Sequence, residues 1–86
     1  MTATYRLEIK RSAEKEIRGL SKDVASRIVD AIRGLGTEPR GPGSRKLAGA
    51  EGYRIRMGAY RIPNTIDDSA HVVMIVAVGH RREIYR

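Results

Sequence analysis

The chain has 86 residues, no cysteine, and 17 Lys plus Arg against 10 Asp plus Glu, a formal charge of +7. That length predicts one small domain spanning 1–86, with no room for a separate cofactor-binding unit, and the lack of cysteine excludes a disulfide framework or a thiolate metal site. The longest apolar run, 72–78, is far short of the ~20 residues that cross a bilayer, and no signal-peptide pattern opens the chain, so the expectation is a soluble, cytoplasmic protein with no membrane partner.

Residues 4–10 alternate, with Tyr5, Leu7 and Ile9 on one side and Arg6, Glu8 and Lys10 on the other, the period of a half-buried strand. Ser12 is an N-cap candidate for a short helix carrying Ala13, Ile17 and Leu20. Ser21 caps a second, in which Val24, Ile28, Ala31, Ile32 and Leu35 form one apolar stripe ending at Gly34 or Gly36. Positions 37–52 hold two prolines and four glycines, which predicts a surface connection without regular structure, anchored by Leu47. Strands are expected at 53–57 and 60–66, joined at Gly58-Ala59, and at 72–78 after an Asp67-Asp68-Ser69 turn. The last lacks alternation and is expected to be central; 82–86 form a short extra strand or a tail. The order β-α-α-β-β-β(-β) predicts a two-layer α+β domain, an antiparallel sheet with both helices on one face and the other face open for binding.

Thirteen of the basic residues are arginine, whose planar guanidinium grips phosphate oxygens in pairs. Between positions 40 and 61 lie Arg40, Arg45, Lys46, Arg54, Arg56 and Arg61 against the single acid Glu51, which points to a polyanionic partner. In Tyr53-Arg54-Ile55-Arg56-Met57 the arginines share one face, and a two-residue turn at Gly58-Ala59 sets Arg56 directly opposite Arg61. Like charges paired across a sheet destabilise it, unless an anion such as a phosphate sits between them. A second cluster, His80, Arg81, Arg82 and Tyr85, follows the apolar strand; His71, beside the acidic turn, reads as structural.

The strand, two-helix, three-strand order, the block Gly-Tyr-Arg-Ile-Arg-Met-Gly-Ala-Tyr-Arg-Ile and the later Val-Gly-His-Arg-Arg-Glu-Ile-Tyr-Arg together resemble the RelE family of the RelE/ParE toxin superfamily. The resemblance spans nearly the whole chain. It implies the toxin of a type II toxin–antitoxin pair, a metal-independent, cofactor-free endoribonuclease that cuts mRNA in the ribosomal A site, formed by 16S rRNA. In such a reaction the 2′-hydroxyl attacks the adjacent phosphate. The family's two strand-borne basic residues correspond to Arg54 and Arg56, its central arginine to Arg61, its C-terminal arginine to Arg81 and its tyrosine to Tyr85. Arginine stays protonated at neutral pH and so binds phosphate rather than acting as a base, which leaves His80 as the proton carrier. Arg40, Arg45, Lys46 and Arg82 are the expected further RNA contacts. The implied partners are a cognate antitoxin, in a hetero-oligomer, and the ribosome with its mRNA.

The chain departs from the family pattern at Ala59, where an acid is common, and at Ile62-Pro63-Asn64, where proline predicts a bulge or break beside the arginines. The competing readings are a catalytically impaired relative and a ParE-like inhibitor of DNA gyrase that performs no chemistry. A stacking RNA-binding module is disfavoured, because the chain has four Tyr but no Phe or Trp.

Overall fold

The alternating N-terminal segment forms β1 (Arg6–Ile9), followed by α1 (Arg11–Arg18), α2 (Lys22–Gly34), β2 (Arg45–Lys46), β3 (Tyr53–Met57), β4 (Tyr60–Asp67), β5 (Val72–Ile75) and β6 (Gly79–His80). The structure is a computed structural model that describes residues 4–49 and 51–80; the extra strand expected at 82–86, and Arg81, Arg82 and Tyr85, lie outside the described residues.

Ser21 caps α2 as expected, its hydroxyl accepting from the Val24 N–H at 3.4 Å. Helix α1 starts ahead of the expected cap. Its N-cap is Lys10, without a side-chain bond, and Ser12 lies inside the first turn. The sheet sets this start: the Lys10 N–H still bonds to the Ile75 carbonyl at 3.0 Å while its own carbonyl accepts the first helical bond, from Glu14.

The strands form one sheet in the order β1-β5-β4-β3-β2, with β6 beside β4. All pairs are antiparallel except β1 with β5, which run parallel, so the sheet is mixed rather than wholly antiparallel as expected. Two helices intervene between β1 and the later strands, and such a crossover permits parallel pairing where a hairpin does not. The central strand is β4, not the apolar strand at 72–78. That strand stops at Ile75, and its Val73 and Ile75 are buried while Val72 and Met74 are only half-buried, so one of its faces is open.

The core is a single layer between the helices and one sheet face. Ala13 of α1 and Ile28, Ile32 and Leu35 of α2 and its cap pack with Ile55, Ile62, Val73, Ile75 and Val78. Ile55 faces Ile62 and Ile66 faces Val73 across the strands, so these side chains share a side, and both helices cover it. Asn64 is buried among them, its amide nitrogen donating to the Ile62 carbonyl at 3.1 Å.

The glycine-rich connection is more ordered than its composition predicts. Arg45 and Lys46 pair with Arg54 and Tyr53 as β2, and the Leu47 N–H closes onto the Gly52 carbonyl at 3.0 Å. Gly52 has φ 112°, and a Cβ there would meet the Asn64 carbonyl oxygen at 2.7 Å, so only glycine lets this turn lie against β4.

Candidate functional site

The β3–β4 hairpin turns at Gly58-Ala59 with Met57 paired to Tyr60. Gly58 has φ 61° and Ala59 a negative φ, the pattern of a type II′ turn, whose twist matches that of paired strands. The register then follows as expected: Arg56 faces Arg61, and Arg54 faces Pro63. Arg45 of β2 lies opposite Arg54 and extends the row. All four arginines are on the side of the sheet away from the helices, where no residue of β2, β3 or β4 is buried. Arg56 is exposed, whereas Arg54 and Arg61 are half-buried.

Pro63 does not break β4, contrary to the expectation. Its carbonyl accepts from the Val76 N–H at 2.9 Å, so its peptide edge faces the β5 side and its missing N–H removes nothing from the β3 ladder. By alternation, Arg54–Pro63 and Arg56–Arg61 are non-hydrogen-bonded pairs, in which side chains stand closest, with Cβ atoms ~4.5–5.5 Å apart. The irregularity falls instead on the neighbouring strand. Continuing the β5 register would put Val78 opposite Arg61, yet Gly79 is there, so one extra residue is accommodated between β5 and β6.

This step decides where His80 stands. His80 faces Tyr60, with the rings edge to face at 5.9 Å, on the helix side of the sheet rather than beside Arg56 and Arg61. Strand β6 is outermost at this end among the described residues, so His80 is at the rim where the two faces meet. It borders a cleft of about 420 Å³ shared with Lys15, Glu16, Leu20, Tyr60 and Val78. Glu16, which the sequence did not single out, accepts there from the Val78 N–H at 3.0 Å across 62 positions of chain. No local signal reveals such a contact.

Arg40 has a different setting from the row. Its guanidinium makes two bonds to Asp68, at 3.0 and 2.9 Å, while its Nε donates to the Tyr53 hydroxyl at 3.1 Å with the ring stacked 5.0 Å away. The Tyr5 hydroxyl donates to the same carboxylate at 2.6 Å. The Arg40 bonds, and then the Tyr5 bond, hold the Asp68 carboxyl down at about 2, and in return Asp68 pushes the Tyr5 phenol above its ordinary range. Four segments are thereby tied together at the open end of the hairpin. His71, at φ 55°, packs against Tyr5 with ring centroids 5.0 Å apart. Lys46 is exposed on β2 but, facing Tyr53, belongs to the opposite side from Arg45.

Comparison with known proteins extends this picture. The profile of the ParE toxin family of type II toxin–antitoxin systems, parDE, matches residues 7–85. Toxin RelG of Mycobacterium tuberculosis is 33% identical over 86 residues, covering 95% of this chain and 97% of the relative. The RelBE2 toxin–antitoxin complex from the same organism has a similar fold at TM-score 0.84 and 26% identity, covering 94% of this chain and 95% of the other. The intact E. coli RelBE complex matches at TM-score 0.78 and 28% identity, over 88% and 95% of the two chains. With two helices on one face of a mixed sheet and similarity over almost its full length, the chain belongs to the RelE/ParE superfamily of type II toxins.

Proposed function

We propose that this toxin is an endonuclease that cuts mRNA in the ribosomal A site and is held inactive by a cognate antitoxin. The observation that carries the reading is the row Arg45, Arg54, Arg56 and Arg61 on the open sheet face, with Arg56 and Arg61 facing one another across the β3–β4 hairpin. Among the described residues no carboxylate forms an ion pair with Arg45, Arg54 or Arg56, which suits this face to an anionic ligand. A phosphodiester set between the guanidiniums supplies the negative charge.

The reaction is a transesterification. The ribose 2′-oxygen bonds to phosphorus, the bond from phosphorus to the 5′-oxygen breaks, and the products are a 2′,3′-cyclic phosphate and a 5′-hydroxyl. Negative charge grows on the non-bridging oxygens at the transition state, where fixed cations stabilise it most. Arg54, Arg56 and Arg61 serve that role, and His80 moves the proton from the rim of the sheet. Arg81 is assigned to the leaving group and Tyr85 to orienting a base, with Arg45, Lys46 and Arg82 as further RNA contacts. Arg40, bound to Asp68, contributes to RNA only by positioning this region. So small a protein has little surface with which to orient RNA, and the ribosome provides that geometry.

An antitoxin partner, in a hetero-oligomer, is supported by the similar chains of RelBE2 and E. coli RelBE, both of them toxin–antitoxin complexes. A net charge of +7 suits an acidic antitoxin segment. The family profile, named for ParE, favours one alternative: a gyrase inhibitor that performs no chemistry. Primer extension on mRNA under translation separates the two. Cuts at codons held in the ribosome, absent with Arg61→Ala, support the nuclease; intact mRNA together with inhibited gyrase supports the alternative.

A further inference from the structure

We propose that Pro63, Met74 and Val76 form a platform on the open sheet face for one nucleobase of an RNA whose phosphate the neighbouring arginines hold; that this base belongs to a cleavage substrate rests on the nuclease reading above.

The run from Val72 to Val78 is apolar without alternation, a pattern that ordinarily marks a strand covered on both faces. Here the helices cover one face. Val73 and Ile75 belong to the core, whereas Val72 and Met74 point the other way and are half-buried. Continuing the register sets Val76 opposite Pro63, whose carbonyl accepts its N–H at 2.9 Å, so Val76 and Pro63 share the face of Met74. Both are half-buried as well. A contiguous apolar patch on a face turned away from the helices marks a place for a ligand with apolar surface of its own.

The charge on either flank selects that ligand. On the β3 side Pro63 lies opposite Arg54, with Arg45 beyond it in the same row. On the β1 side Met74 lies opposite Glu8, and Val72 lies between Asp67 and Arg6. Two carboxylates stand there against one cation, which Glu8 already holds at 3.0 Å. A polyanionic backbone therefore follows the arginines and directs its apolar part inward. A nucleotide has this construction: a phosphate joined through one sugar to a flat base with apolar faces and a polar edge. With the phosphate at Arg54 and Arg56, the base lies over Pro63 and Val76, the first of them one strand spacing of ~4.8 Å from Arg54. Its edge then reaches the exposed Thr65, which faces Met74. The shallow surface of a pleated sheet suits a planar ring better than a single peptide side chain. Tyr85 is assigned to the base on the other side of the phosphate.

The test uses the full chain with a short RNA carrying a 2′-deoxy sugar at the attacking position, which binds without being cut, beside an abasic RNA of equal charge. Methyl signals of Met74 and Val76 and side-chain signals of the arginines are followed by NMR during titration. The base-bearing RNA shifts the methyls through its ring current, whereas the abasic RNA moves the arginine signals alone and binds about tenfold more weakly. A purine is favoured over a pyrimidine by about three- to fivefold, because its larger ring covers more apolar surface. Val76→Thr, of the same shape, and Met74→Gln, of similar length, each weaken binding of the base-bearing RNA by about threefold, reduce the purine preference and leave the abasic RNA as before. Methyls that stay in place while the arginines respond, or an abasic RNA that binds as tightly, overturn the proposal. So does an acidic peptide that shifts the methyls where RNA does not. If the parent protein leaves ribosome-bound mRNA intact but its methyls respond to the base, the nuclease reading fails and the platform stands; if mRNA is cut while the methyls stay silent, the platform alone fails.

Discussion

Arg40 and Arg56 lie at opposite ends of the β3–β4 hairpin and meet opposite surroundings. At the open end, Arg40 is held by a carboxylate and a phenol, and one network joins Tyr5, Arg40, Tyr53 and Asp68. At the turn end, Arg56 faces Arg61 with Arg54 and Arg45 alongside. The same side chain is neutralised where it fastens loops and set directly opposite its own kind at the turn. The contrast separates an arginine that ties segments of the fold together from one that the proposed function assigns to a phosphate.

Arg61→Ala tests the turn end most severely. Cleavage on ribosomes should fall by about 100- to 1,000-fold, the usual loss when one charge-stabilising donor is removed, a larger effect than any on the thermal melt. A variant that cuts at the parent rate would remove the arginine row from the mechanism. Its neighbour Ile62 is buried on the opposite face and should behave in the reverse way. Ile62→Ala is expected to cost ~2–4 kcal/mol in denaturant unfolding, with cleavage per folded molecule nearly unchanged.

Arg40→Ala addresses the open end. Melting temperature should drop by about 2–5 °C, with a much smaller change in cleavage than Arg61→Ala produces. The acid limb of the stability curve carries the same network. The Asp68 carboxyl is lowered from 3.8 to about 2, so its contribution is complete above the ordinary value and disappears as pH falls through about 2. Asp68→Asn should abolish that part of the acid response, measured by melts at stepped pH. The Tyr5 phenol is raised from 10.0, so its contribution holds below pH 10 and is lost as pH climbs through the raised value. The smallest effect is expected from Arg56→Gln, which relieves a like-charge pair: stability should rise by ~0.2–1 kcal/mol while cleavage declines, a trade read from paired melts and rate measurements.

Much of this architecture is legible in local pattern. Alternation marks β1, apolar spacing marks α2, Ser21 marks its start, and Gly58-Ala59 places Arg56 against Arg61, because turn length alone sets hairpin register. Near full-length similarity to RelE-type toxins agrees with the family that the Tyr-Arg and Gly-His-Arg blocks resemble. Composition misled at two points. Gly and Pro between 37 and 52 concealed β2, which exists because β3 offers an open edge to pair with. Pro63 signalled a break in its own strand, whereas its missing donor faces β5 and the irregularity lies there.

Local pattern thus determines the elements, the hairpin and the charge it displays, since each depends on neighbours within a few residues. Strand partners and long-range hydrogen bonds depend on how the layers pack. Only the tertiary structure pairs β1 parallel with β5, brings Arg40 to Asp68, carries Glu16 across 62 positions to Val78, and places His80 on the helix side of the sheet. A buried peptide group takes whichever acceptor the packed layers bring within reach, and separation along the chain does not reveal which that will be.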